Sequence, residues 1–143
     1  LELHRNPVAD FSPLGSITSL RRLYMNNAGA SDVSFLSTLT DMRGLEIAEN
    51  GITDISSLSG MTLLKNLWLF DNNISSISSL ASLPALELVL LHKNAVTDIS
   101  PLSSASVLTT LSLHTNNITD LSPLVNNMGV DAGDVGPVVI VKF

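Results

Sequence analysis

Three histidines, His4, His92 and His114, carry the acid–base and metal-binding chemistry open to this sequence near neutral pH, because the chain has no cysteine to act as thiolate nucleophile, redox centre or soft ligand. His92 and His114 are 22 residues apart and His4 falls in the same series. On adjacent strands such a spacing brings two imidazoles to about 5 Å, close enough to share a metal. A third ligand is missing, since the neighbouring positions are Lys93, Ser112 and Thr115. Two imidazoles on exposed strands then act as solvated residues or as a pH-sensitive contact, and no metal is expected. Catalysis finds no foothold either. The sequence has no phosphate-cradling glycine motif, no G-x-S-x-G and no histidine with a carboxylate at plausible reach, so no enzyme and no cofactor is expected.

The spacing of 22 runs through the whole chain and fixes the elements that hold these side chains. Every twenty-second residue gives Leu1, Leu23, Leu45, Leu67, Val89, Leu111, then Leu3, Met25, Ile47, Leu69, Leu91, Leu113, and further on the all-leucine column Leu14, Leu36, Leu58, Leu80, Leu102, Leu124. Between them stand Asn6, Ala28, Asn50, Asn72, Asn94, Asn116, and a serine column from Ser12 to Ser122. A fixed period of this length is the mark of stacked repeats. Leucines two apart, such as Leu67 and Leu69, face one side of a short strand while Trp68 and Phe70 face the other. One repeat cannot bury its apolar side, so the rungs must stack at about 4.8 Å into a parallel sheet with a continuous core.

The asparagines form a ladder whose amides satisfy backbone groups where the chain turns inward. Ala28 breaks it, and the second repeat is expected to have the looser turn. Asp10, Asp32, Asp54, Asp98 and Asp120, with Ser76 in the remaining place, precede an apolar residue and a serine. That order is a capping signal for a short turn or 3₁₀ segment. Pro13, Pro101 and Pro123 suit its first turn.

The stretch Leu108 to Leu124, LTTLSLHTNNITDLSPL, reads as L-x-x-L-x-L-x-x-N-x-I-x-D-I-x-P-L. It resembles the 22-residue class of leucine-rich repeats found in bacterial internalins and in phosphatase-1 regulatory solenoids. The resemblance implies an α/β fold: a right-handed solenoid of about six rungs, with a parallel sheet on the concave face and short 3₁₀ or turn segments on the convex face. It covers residues 1–125, an array without an N-terminal cap that is expected to be a fragment of a longer protein. A non-repeat tail, 126–143, follows, with a strand expected over 138–143 from its β-branched run. It is expected to cover the last rung. The uncapped ends are also expected to favour self-association.

Function in such an array sits on outward strand positions. One column is Glu2, Tyr24, Glu46, Trp68, Leu90, Ser112, and the next is His4, Asn26, Ala48, Phe70, His92, His114. Trp beside Phe and Leu, with no core to fill, marks a hot spot for a protein ligand. The expected binding residues are Tyr24, Glu46, Trp68, Phe70, Leu90, His92 and His114. The row Arg21, Arg43, Lys65 beside Glu46, Glu49 and Asp71 mixes both signs and reads as a mutually paired surface. With 13 acidic against 7 basic residues and net charge −6, the chain lacks the basic face that nucleic acid requires. No apolar run is long enough for a membrane span. The resemblance implies a non-catalytic recognition module of a bacterial surface or secreted protein, with an intracellular regulatory scaffold of the phosphatase-binding kind as the alternative.

Overall fold

A computed structural model describes residues 1–125, so the tail and the strand expected over 138–143 lie outside the described residues. Five strands, β1 (Arg22–Tyr24), β2 (Gly44–Glu46), β3 (Asn66–Trp68), β4 (Leu88–Leu90) and β5 (Thr110–Ser112), form one parallel sheet in sequence order. Their register places each residue beside the one 22 further on, as at Leu45↔Leu67↔Val89. The first rung contributes only a bridge, Glu2↔Tyr24, in place of the sixth strand that the period suggests. Five 3₁₀ segments, Ser12–Ser16, Ser34–Thr38, Ser56–Gly60, Ser78–Ser82 and Ser100–Ser104, run along the opposite side, and a short helix α1 (Ser122–Val125) ends the described chain. The aliphatic columns fill the space between these two walls, with Leu23, Leu45, Leu67, Val89 and Leu111 wholly buried.

The asparagine ladder exists, and Asn50, Asn72, Asn94 and Asn116 each serve two rungs. Asn72 Oδ1 accepts from the Ile52 N–H of the rung before it at 3.1 Å, while its Nδ2 donates to Ile47 O of that rung and to Leu69 O of its own, both at 3.0 Å. Asn94 and Asn116 repeat the pattern. This corrects the expectation at Ala28. The second turn is held from behind, since Asn50 Oδ1 accepts from both Ala28 N–H and Ala30 N–H at 3.0 Å. The bonds that alanine cannot make are those toward the first rung, where Val8 N–H instead donates to Asn6 O. The second turn does differ in shape: Gly29 stands there at φ 78°.

The expected acidic caps act as Asx turns. Ser12, Ser34, Ser56, Ser100 and Ser122 each donate a backbone N–H to the aspartate two residues before, at 2.8 Å. Ser76 reaches only the Ser78 hydroxyl, at 3.3 Å. The backbone N–H and then the hydroxyl of the following serine hold Asp54, Asp98 and Asp120 below the ordinary carboxylate value; at Asp10 the Ser12 side chain leads and its N–H follows. A depressed folded-state pKa adds stability that is present above the unfolded value of 3.8 and is lost as the pH falls through the folded one. The melting temperature should therefore drop on acidification from about pH 5 to about pH 2, and the drop should be shallower in Asp54→Asn, which keeps an acceptor without the charge.

One position on this side is less well served than its counterparts. Ser79 is buried and its Oγ has no hydrogen-bond partner, whereas Ser57 in the same column donates to Val33 O at 3.0 Å. Pro13 and Pro101 occupy that place in two other 3₁₀ segments, at the N-terminal position where a missing N–H costs nothing. Ser79→Pro is expected to raise stability by about 1 kcal/mol, by removing an unsatisfied hydroxyl and restricting the unfolded chain. Urea titration against wild type is the check.

Candidate functional site

The sheet's open face carries three outward columns, set by strand alternation around the buried leucines. They are Arg22, Gly44, Asn66, Leu88, Thr110; then Tyr24, Glu46, Trp68, Leu90, Ser112; and, just past the strands, Asn26, Ala48, Phe70, His92, His114. The row Arg21, Arg43, Lys65 is not among them. That row shares the parity of the core leucines and stands at the edge of the sheet. Asn66 and Thr110 were therefore missed as surface positions, although counting back by two from Trp68 and Ser112 finds them.

Trp68 and Leu90 are register partners, and Leu88 is the neighbour of Asn66 on the same face. These apolar side chains are half-buried, because each leans on the next rung. Phe70, His92 and His114 form one continuous stack: ring centroids are 4.7 Å apart for Phe70 and His92, and 4.4 Å for His92 and His114, with planes inclined by 4° and 18°. Phe70 thus packs on His92. His92 Nδ1 lies 3.2 Å from Ser112 Oγ. Burial, then the charges of His114 and Lys93, push His92 below its ordinary value, with Asp71 opposing. Parallel imidazoles present ring faces to each other, so their in-plane lone pairs do not converge on one ion. Among the described residues no three histidine or acidic side chains gather as a ligand set.

Tyr24 stands apart from this cluster. It stacks on His4 with centroids 6.1 Å apart, and Glu46 separates it from Trp68. The Glu46 carboxylate accepts from Asn26 Nδ2 at 3.2 Å. Two ion pairs border the apolar centre, Lys65 with Glu87 on one flank, and Lys93 with Asp71 at 3.1 Å on the other. Pairing thus runs along columns between adjacent rungs, and the pairs leave two neutralised margins beside Trp68, Leu88, Leu90 and Phe70. Asp71 and Lys93 belong to a further series, Arg5, Asn27, Glu49, Asp71, Lys93 and Thr115, all in the left-handed region at φ 52° to 58°.

The family model for leucine-rich repeats in two copies matches residues 40–82 and again 62–104. The chain is a leucine-rich-repeat protein. Its repeats resemble those of two internalins of Listeria monocytogenes. One (inlF) is 33% identical with a TM-score of 0.85, covering 96% of this chain and 39% of its own. The other, internalin C2, is 31% identical with a TM-score of 0.88, covering 99% of this chain and 60% of its own. The repeat protein thus spans 39% of one internalin and 60% of the other, less than two thirds of either. A leucine-rich-repeat protein of Leptospira interrogans, 19% identical with a TM-score of 0.73, shares the fold over 96% of this chain and 35% of its own. Among curated proteins the sequence finds no match. Among the described residues, no helix of the repeat array is long and apolar enough to cross a membrane.

Proposed function

We propose that this array is a non-catalytic recognition module of a bacterial surface or secreted protein, and that it takes a protein ligand on the open face of its sheet. The observation that carries this reading is the apolar centre Trp68, Leu88, Leu90 and Phe70 lying between two margins of paired charge. A desolvatable centre inside a polar rim is the arrangement in which a few residues supply most of the binding energy of a protein interface. Tyr24, Glu46, His92 and His114 extend the contact along the same columns. The likeness to internalins supports a surface or secreted setting over an intracellular regulatory scaffold.

The absence of cysteine from the sequence gives a direct test. A single cysteine is introduced at Leu88 on the open face or at Ser103 on the 3₁₀ side and capped with a bulky maleimide. Capping Leu88→Cys should abolish capture of the protein ligand in a pull-down, and capping Ser103→Cys should leave it intact. The reverse result moves the site to the other side of the array.

A further inference from the structure

The imidazole pair on this face has two engaged ring nitrogens and two free ones. His92 Nδ1 lies 3.2 Å from Ser112 Oγ, and His114 Nδ1 lies 3.3 Å from Thr115 Oγ1. Both Nε2 atoms have no protein partner among the described residues. The rings are stacked 4.4 Å apart at an inclination of 18°. We propose that His92 and His114 form a docking point for one carboxylate of the protein ligand, which closes across the two Nε2 edges once the pair has taken up a proton. The inference rests on the open face being the docking surface, and it adds the chemistry of the group that lands there.

The physical case is one of missing counter-charge. Uncharged, the two rings stack without electrostatic cost. Among the described residues a proton on either ring meets no free anion: the charged groups facing His92 are His114, Lys93 and Asp71, and Lys93 and Asp71 are already paired with each other at 3.1 Å. Phe70, on the other face of His92, offers only its ring. A carboxylate from outside supplies what is absent, since its two oxygens can accept one charge-assisted bond from each ring. The hydroxyls of Ser112 and Thr115 rotate to accept from Nδ1–H when the rings are protonated, so no partner is lost on either side of the titration. An anion beside the pair raises the histidine pKa in the complex. The complex then holds more protons than the free protein, and association strengthens as the pH falls through the histidine range. Leu90 stands two positions before His92 on the same face, with Trp68 as its register partner one rung back, so the fitting ligand presents an acidic residue next to an apolar one.

His4 provides a control within the same molecule. It lies in the same column but stacks on Tyr24, and its Nδ1 accepts from Asn26 N–H at 3.1 Å, so it has no second imidazole to share a carboxylate with. The test is an NMR titration of the three histidine Cε1 protons with two short peptides, acetyl-Leu-Ser-Glu-amide and its Gln counterpart, at equal ionic strength. The Glu peptide should raise the midpoints of His92 and His114 by about half a pH unit or more and leave His4 in place. The Gln peptide should move none of the three, and His114→Gln should remove the rise at His92. Unmoved midpoints with the Glu peptide, or equal movement with Gln or at His4, overturn the proposal. Emission from Trp68, the single tryptophan, separates this result from the broader reading. A Trp68 response to both peptides with unmoved midpoints refutes the carboxylate point and keeps the docking face. Raised midpoints with a silent Trp68 uphold the carboxylate point and count against the Trp68 centre.

Discussion

Replacing Asn72 by alanine is expected to lower stability by about 3 kcal/mol, which for a chain of this size is a fall of about 10 °C in melting temperature. Asn73→Ala, one residue on, should stay within about 0.5 kcal/mol of wild type. The two asparagines differ in what their side chains touch. Asn72 is buried at 8% exposure and bridges two rungs through Ile52 N–H, Ile47 O and Leu69 O. Asn73 is exposed, and it joins the ladder only through its backbone N–H, which donates to Ile52 O and survives the substitution. Truncating Asn72 leaves buried backbone groups of the third and fourth rungs without partners or water. Stability in a stacked array is largely a sum of rung and interface contributions, so the lost bonds should also weaken coupling between the halves on either side. A lower urea m-value for Asn72→Ala alone would report that decoupling. Equal melting temperatures for the two variants would refute the assigned register.

The second large effect is on binding. Trp68→Ala and Phe70→Ala together should weaken capture of the protein ligand by about 2 kcal/mol or more, roughly 30-fold, with the fold unchanged. Both side chains face away from the leucine columns. Phe70 packs on the His92 ring and Trp68 lies beside Leu90, so truncation uncovers surface rather than opening a core cavity. Arg21→Ala with Arg43→Ala, at the sheet edge, is the matched control and should cost far less. Retained affinity in the aromatic double variant moves the ligand off this face, and loss of the folded circular-dichroism signal would show that the two residues are structural.

Much of the scaffold was legible because, in a stack of repeats, a residue's main neighbour is its own counterpart 22 positions away. Writing the sequence in rows of 22 therefore lays contacts side by side. The leucine columns, the asparagine ladder, the aspartate–serine turns and the vicinity of Trp68 to Leu90 and of His92 to His114 all follow from that layout. Correspondence within a column says nothing about direction, however. Only the packed rungs show that Asn50, Asn72, Asn94 and Asn116 also reach back to the turn before them, and this is why Ala28 is felt at Val8 and its own turn is still held by Asn50.

The same limit applies where backbone geometry, rather than residue type, decides. The left-handed series holds Arg5, Asn27, Glu49, Asp71, Lys93 and Thr115, six different residues, of which only asparagine and aspartate favour that conformation. The stacking of neighbouring rungs imposes it, so no column composition could reveal it. The parallel stacking of Phe70, His92 and His114, the hydroxyls beside two of their nitrogens and the unpartnered Oγ of Ser79 likewise depend on ring orientation and on tenths of an ångström between rungs. The sequence by itself determined which residues meet, since the period makes them neighbours. Tertiary structure decided how they face one another, because orientation follows from the twist and turn of adjacent rungs, which the repeat spacing does not encode.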